Sequence, residues 1–168
     1  NLAYLIENIK SSVSLHQDYE FSFEGHPNNT TKEHLEVLFN LGFKRVSFGV
    51  QDYDTRVQKA INRIQPFENV KKATEEARRI GYTSISHDLV FGLPFQNIQN
   101  IKNTIKKTQE LNPDRISFYG YAHVPWVKGV GQRGFEQKDI PKGLEKRKLY
   151  EQGKELLSKL GYIEVGMD

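Results

Sequence analysis

The 168-residue chain contains no cysteine. Disulfide bonds, thiolate metal sites, a cysteine nucleophile and iron–sulfur ligation by cysteine are therefore excluded within these residues. Long apolar runs are also absent, because no stretch approaches the roughly 20 residues that a membrane helix needs. No charged segment followed by an apolar one opens the chain, as a secretory leader would. A cytoplasmic protein is the default expectation.

Net charge is another property that the chain has little of. Its 24 Lys and Arg against 21 Asp and Glu leave a formal charge of +3, which is weak for a nucleic-acid footprint. Basic pairs such as Lys71-Lys72 and Arg78-Arg79 stand beside acidic residues, as on solvated helix faces. We expect neither a nucleic acid nor a membrane as a partner.

The two ends of the sequence suggest a piece of a longer protein. The chain opens on Asn1 without a methionine, and it closes on Asp168 just where a strand is predicted to finish. We therefore interpret residues 1–168 as one truncated domain rather than as several domains.

Amphipathic helices alternate with β-rich strands along the chain. The first such helix is predicted to begin at a capping box formed by Thr30 and Glu33 and to end at Gly42. A second is predicted to start at Pro66 and stop at Gly81, and two more follow at about 98–111 and 144–160. The strands are predicted at residues 19–24, 45–51, 84–91, 115–121 and 162–165. This order predicts successive βα units, which form a parallel sheet or a barrel wall.

Polar side chains close three of the predicted strands. Because side chains alternate across a strand, each of these strands has an apolar face and a small or polar face. The apolar faces are expected to pack under the helices, so that Glu24, Gln51 and Asp88 point together into a lumen that holds a ligand at the carboxyl ends of the strands. An exposed polar sheet face and a water-filled structural network are the alternatives.

Other patterns carry less information. The histidines have no zinc spacing, and neither a GxGxxG string, a P-loop nor a GxSxG elbow is present. Arg63 lies between two helices and could bind a carboxylate through two hydrogen bonds, although solvated arginines are common. Tyr119, Tyr121 and Trp126, beside His123, could line a large flat ligand or could belong to the core.

Four strings in the chain occur in the same order in one enzyme family. They are Gly49-Val50-Gln51-Asp52, Asn62-Arg63-Ile64-Gln65-Pro66-Phe67, Asp88-Leu89-Val90-Phe91-Gly92-Leu93-Pro94 and Tyr121-Ala122-His123-Val124-Pro125-Trp126. On these strings the chain resembles the oxygen-independent coproporphyrinogen III oxidases, which are radical S-adenosylmethionine (SAM) enzymes of haem synthesis. The resemblance covers most of the chain.

The resemblance implies a set of cofactor-binding residues. Glu24 and Ala122 match positions that contact the SAM bound at the family's [4Fe–4S] cluster, Ala122 through its backbone. Gln51, Arg63 and Asp88 match positions for a second SAM. No residue of the chain is assigned as a catalyst or a metal ligand.

The resemblance also implies a fold and explains the missing cysteine. The family's CxxxCxxC loop and its Gly-Gly-Thr-Pro strand do not occur in the chain, so both are expected upstream of Asn1, and a further segment is expected after Asp168. The fold class is then α/β, with the later βα units and parallel strands of a partial TIM-like (β/α)6 radical SAM barrel. After Glu24, the string Gly25-His26-Pro27-Asn28 departs from the family's usual acidic-Pro-Arg sequence.

The implied activity of the whole protein is the conversion of coproporphyrinogen III to protoporphyrinogen IX. A 5′-deoxyadenosyl radical takes a hydrogen from each of two propionates, which lose CO2 and one electron to become vinyl groups. An electron-donor protein is the expected partner. Two alternatives stay open: a haem-binding or haem-delivering protein of the same superfamily, and an unrelated βα-barrel enzyme that uses Glu24 and Asp88 as an acid–base pair.

Overall fold

Helices and parallel strands alternate as the sequence predicts. The computed structural model of the chain describes residues 2–124 and 134–166. Its strands are β1 (Phe21–Gly25), β2 (Phe43–Gln51), β3 (Ser84–Phe91) and β4 (Arg115–Gly120). Its α-helices are α1 (Leu2–Ser11), α2 (Lys32–Asn40), α3 (Thr55–Ala60), α4 (Phe67–Ile80), α5 (Ile98–Leu111) and α6 (Gly143–Lys159), and a 3-10 turn (Gln137–Asp139) precedes α6.

The four strands form one sheet in the order β1-β2-β3-β4, and every neighbouring pair is parallel. Strands that are consecutive in the sequence are therefore adjacent in the sheet, as in the wall of a βα barrel. The predicted α/β class with parallel strands is confirmed.

The apolar face of the sheet packs under the helices in two clusters. The first joins Val46, Phe48 and Ile85 of the sheet to the buried stripes of α2 and α4, and the second joins Val50 and Leu89 to α5 and α6. Burial of these side chains, worth about 1.5–3 kcal/mol for each large one, holds the helices on this face. The opposite face is consequently left to the polar residues.

The start of α2 differs from the predicted capping box by one residue. Thr31, not Thr30, is the N-cap, and the reciprocal partner is the side chain of His34 rather than that of Glu33. Thr30 is engaged elsewhere, because its hydroxyl donates to the carbonyl of His26 at 3.0 Å. Pro66 is likewise the N-cap of α4 and not its first helical residue.

The predicted strand at residues 162–165 is wrong. Tyr162 to Val165 form neither strand nor helix. Side chains fix this segment instead: the Tyr162 hydroxyl donates to the carbonyl of Pro113 at 2.6 Å, and Glu164 binds Tyr150 and Lys154 of α6. Ile163 and Val165 are exposed. Although β-branched residues favour strands, these two pair with no strand of the described sheet.

Two helices, α1 and α3, were not predicted from the sequence. Helix α3 has only six residues and begins at Asp54, whose carboxylate accepts from the backbone of Arg56 and Val57. Helix α1 buries none of its residues. In the part of the chain that the structure describes, no helix is both long enough and apolar enough to cross a membrane.

Candidate functional site

The polar face of the sheet is lined by short hydroxyl side chains and carboxylates at matched positions. Glu24 of β1 pairs with Ser47 of β2, which pairs with Ser86 of β3. One step further along, Gly49 pairs with Asp88, which pairs with Ser117 of β4. Glu24 and Asp88, which alternation alone places on this face, border one open cleft of about 1540 Å³.

Gln51 ends β2 in an unusual backbone conformation. The β2–β3 register shifts between Gly49 and Gln51, and Gln51 has a φ of 68°, which lies in the left-handed region that few side chains other than Asn and Asp adopt. This bulge turns the Gln51 side chain back over Gly49. A Cβ placed on Gly49 would lie 3.0 Å from the Gln51 Nε2 and 2.7 Å from a guanidinium nitrogen of Arg63.

Arg63 reaches the polar face from the loop between α3 and α4. Its Nη2 donates to the carbonyl of Gly49 at 2.8 Å. Burial lowers the pKa of the guanidinium, and the carboxylates of Glu24 and Asp88 oppose that shift. The structure therefore brings Arg63 into electrostatic contact with two of the carboxylates that the sequence singles out.

Two groups in this cluster have implications for a ligand. The Ser47 hydroxyl donates to Asp88 Oδ2 at 2.7 Å, which fixes that carboxylate and leaves its other oxygen available. Among the described residues, the Arg63 Nε is a buried donor without a partner, and a buried donor of this kind normally has one. Sequence reasoning did not single out Ser47, because nothing in its spacing shows a bond to Asp88.

Asn28 holds the Arg63 loop to the loop that follows β1. Its amide nitrogen donates to the carbonyl of Ile64 at 2.8 Å, and its amide oxygen accepts from Asn69 at 2.9 Å. The departure from the family pattern at Gly25–Asn28 thus contributes contacts of its own. Among the residues described here, no group of three or more His, Asp or Glu side chains is arranged to hold a metal ion.

Ala122 lies outside this cluster, after the end of β4. The backbone N–H of Tyr121 still donates to Phe91 at 2.8 Å, so Ala122 follows the last bond of the β3–β4 ladder. Lys146 of α6 donates to the carbonyl of Tyr121 at 2.8 Å. The structure therefore holds the backbone beside Ala122 in a fixed place at the carboxyl edge of the sheet. Trp126 lies outside the described residues.

A parallel βα sheet with its helices on one face and carboxylates, an arginine and a bulged glutamine on the other is the arrangement of a βα-barrel segment. Residues 2–108 match the model of the radical SAM superfamily. That match covers more than half of the chain, which therefore belongs to the radical SAM superfamily.

Within this superfamily, the chain is similar to proteins named oxygen-independent coproporphyrinogen III oxidase. An oxygen-independent coproporphyrinogen III oxidase of Helicobacter pylori (strain J99) is 45% identical over 152 residues, which are 90% of this chain and 33% of that protein. The enzyme of the same name from Synechocystis is 37% identical over 98% of this chain and 35% of its own length. The chain thus spans about a third of the length of these relatives.

The chain is also similar in structure to a solved enzyme of this name. The chain superposes on coproporphyrinogen III oxidase of Escherichia coli, described as a radical SAM enzyme, with a TM-score of 0.92 and 35% identity over 99% of this chain and 38% of that one. The predicted family resemblance and the predicted partial radical SAM barrel are confirmed.

Proposed function

We propose that this chain is part of an oxygen-independent coproporphyrinogen III oxidase, which converts two propionates of coproporphyrinogen III into the vinyl groups of protoporphyrinogen IX. One observation carries the proposal: the string Asn62 to Phe67 brings the Arg63 guanidinium to the carbonyl of Gly49 at the polar sheet face. There the charges of Glu24 and Asp88 act to raise the pKa of the guanidinium. Relatives of that name match 90–98% of the chain at 37–45% identity.

The residues of this face fit SAM, which carries a carboxylate, an ammonium group, a sulfonium cation and ribose hydroxyls. The buried, unpaired Nε of Arg63 offers a donor to the carboxylate, and Glu24 and Asp88 offer acceptors to the ammonium group and the hydroxyls. The absence of a side chain on Gly49 gives Arg63 its space. We assign Gln51, Arg63 and Asp88 to one SAM, and Glu24 and the Ala122 backbone to another.

An iron–sulfur cluster does not fit the residues of this chain, which contains no cysteine. Residues outside the chain would hold it. When bound together, the cluster and SAM supply the radical that begins each decarboxylation.

The residues of this chain bind SAM and orient it. Arg63 and Asp88 fix the charged end of one SAM and Glu24 contributes to the site of the other, and the helix-covered apolar face gives these residues a rigid support. The loss of CO2 and one hydrogen atom from each propionate leaves one electron to be removed, so an electron acceptor is required. A donor protein that reduces the cluster and a cytoplasmic location complete the proposal.

The test uses the full-length protein, reconstituted anaerobically with iron and sulfide. We expect SAM-dependent formation of vinyl groups from coproporphyrinogen III, followed as protoporphyrin after oxidation of the product. Arg63→Ala is expected to weaken SAM binding by about 10- to 100-fold, since a hydrogen bond to a charged group contributes about 1.5–3 kcal/mol.

The matched control is Arg147→Ala, because the Arg147 side chain is exposed and pairs with Glu151 on α6. This variant should bind SAM as the wild type does. Transfer of haem without vinyl formation would contradict the oxidase and support a haem-delivering protein. Turnover without iron or SAM would favour the acid–base enzyme instead.

A further inference from the structure

The turn at Gln51 is strained. Its φ of 68° accompanies a hydrogen bond from the backbone N–H of Asp52 to the carbonyl of Val50 at 3.0 Å. A three-residue turn closed in this way, with a positive central φ, is rare, and such conformations persist only where the surrounding structure holds them in place. The turn at Gln51 therefore requires such support from its neighbours.

Two buried glutamines bind the carbonyls on both sides of Gln51. The Gln65 Nε2 donates to the carbonyl of Gly49 at 2.9 Å and approaches that of Val50 at 3.4 Å. The Gln58 Nε2 donates to the carbonyl of Asp52 at 2.8 Å. Gln58 also exchanges two hydrogen bonds with the backbone of Gln65, at 2.8 and 3.0 Å, so the two side chains act as one unit.

A third buried glutamine, Gln96, ties this turn to the end of β3. The Asp52 carboxylate accepts from the Gln96 Nε2 and from the backbone N–H of Asp54, both at 2.6 Å. The Gln96 Oε1 in turn accepts from the N–H groups of Gly92 and Leu93, at 2.6 and 3.3 Å. Since β3 carries Asp88, the network joins the ends of two strands that supply candidate SAM ligands.

Arg63 is attached to the same unit. Its backbone N–H donates to the carbonyl of Gln58 at 2.9 Å, while its guanidinium and the Gln65 amide share the carbonyl of Gly49. Buried hydrogen bonds therefore connect the end of β2, which carries Gln51, to the loop that carries Arg63 and to the strand that carries Asp88.

We propose that Asp52 and the glutamine clamp, defined as Gln58, Gln65 and Gln96, are positioning residues that set the places of Gln51, Arg63 and Asp88 for a bound SAM. The role rests on the proposed function, because SAM is the ligand that these three residues would bind. Asp52 is 0% exposed and the three glutamines are at most 5% exposed, so the clamp acts through the residues that it holds. The directional hydrogen bonds of this network favour one arrangement of the strand ends, which apolar side chains would not. Among the described residues, the Gln65 Oε1 is the one buried oxygen of the clamp without a partner.

The test breaks the bond between Asp52 and Gln96 in two ways and then restores it with donor and acceptor exchanged. The Gln96 bond to the carbonyl of Val90, at 2.9 Å, is lost in both proteins that carry Gln96→Glu. Asp52→Asn places an amide where an acceptor is required, and Gln96→Glu places a second carboxylate against Asp52. In the double variant, the new amide at position 52 can donate to the new carboxylate at position 96, which can still accept from the backbone of Gly92. The control, Gln99→Glu, makes the same chemical change on an exposed side chain of α5.

Binding of SAM to the full-length, cluster-reconstituted protein is measured by equilibrium dialysis, and global folding by circular dichroism. We expect each single variant to lose about tenfold in SAM affinity or more, the double variant to regain a large part of that loss, and Gln99→Glu to lose nothing. A double variant whose loss equals the product of the single losses would overturn the proposal, because the two side chains would then act independently.

A crystal structure of the Asp52→Asn variant separates this proposal from the proposed function. We expect Gln51 to leave the left-handed region and Arg63 to lose its bond to Gly49. An unchanged Gln51 and Arg63 would overturn the positioning role, whether or not the wild type forms vinyl groups. Wild-type protein that forms no vinyl groups but binds SAM would contradict the oxidase and leave the affinity comparison valid.

Discussion

Gly49 illustrates how one missing side chain creates space for two larger ones, those of Gln51 and Arg63. A Cβ at this position would lie 2.7 Å from an Arg63 nitrogen, a distance at which the guanidinium must move. In the sequence, Gly49 is recognisable only as part of the string Gly49-Val50-Gln51-Asp52. Its role follows from the bulge, which brings Gln51 and Arg63 across its open face.

Gly49→Ala is expected to displace Arg63 and to weaken SAM binding about tenfold or more, through loss of a charge-assisted contact. The measurement is SAM affinity by equilibrium dialysis on the full-length protein. Arg147→Ala is again the control, because this exposed side chain pairs with Glu151 on α6. Equal affinities for the two variants would contradict the assignment of Arg63.

His87 gives a prediction on pH dependence. Its ring is fully buried and its Nε2 lies 3.0 Å from the Thr74 hydroxyl. Burial, with a smaller effect of Arg78, lowers the pKa of His87 to about 4. As the pH falls below 6.5, the ordinary pKa of histidine, His87 binds a proton in the unfolded chain but stays neutral in the folded chain. Stability is therefore lost between pH 6.5 and 4.

The free energy of unfolding of the wild type, compared with His87→Gln, should fall by up to about 3 kcal/mol across that range. Urea unfolding at several pH values measures it. Asp52 has the opposite effect on the pH dependence of stability, because burial raises its pKa to about 6. As the pH falls, the folded chain therefore binds a proton at Asp52 more readily than the unfolded chain does. Both proteins contain Asp52, so its effect cancels in the comparison. Parallel pH curves would contradict the prediction.

At the scale of elements, helix α6 lies very close to strand β4. A Cβ on Gly153 would lie 2.3 Å from two ring carbons of Phe118, so the helix approaches the strand through a position without a side chain. This contact determines how near α6 lies to the open edge of the sheet.

Gly153→Ala should lower the free energy of unfolding by about 1–2 kcal/mol, because overpacking costs more than the helix gains from alanine. Chemical denaturation measures the change. Lys148→Ala, at an exposed position of the same helix, makes a suitable control and should be neutral or slightly stabilising. A Gly153→Ala protein more stable than the wild type would show that Phe118 can move aside.

The sequence predicts regular elements well where a period and a stop signal coincide. Strand β3 begins and ends where alternation places it, at Ser84 and Phe91, and α4 stops at the predicted Gly81, which follows Ile80 as the C-cap with a φ of 110°. Alternation also places Glu24 and Asp88 on one face. Helix α3 was missed because six residues are too few to show a 3.6-residue period.

The glutamine clamp could not be predicted for a different reason. The N–H groups of its side-chain amides donate to backbone carbonyls that are 6 to 16 residues away and, for Gln96, also to a carboxylate 44 residues away. Such pairs leave no spacing rule in the sequence, since they depend on where the turns bring the backbone. Buried glutamines are uncommon, but burial is visible only in the structure.

At the scale of the whole molecule, the lack of cysteine gives a direct test. The 168-residue chain expressed alone should retain no iron after anaerobic reconstitution and desalting, because it offers no thiolate ligand. Iron per chain, measured by mass spectrometry, should be near zero, whereas the full-length protein should hold about four irons for each [4Fe–4S] cluster. Stoichiometric iron in the short chain would contradict the placement of the cluster ligands outside it.

The strand order β1-β2-β3-β4 has a consequence for how the protein is made. Strands β2, β3 and β4 each pair with the strand that precedes them in the sequence, so each of these βα units can add to an edge that is already present as it leaves the ribosome. None of these three strands has to be inserted between two strands of the described sheet that are already paired, and the chain-closure distances stay short. The barrel wall can thus grow during translation in the same direction as the polypeptide.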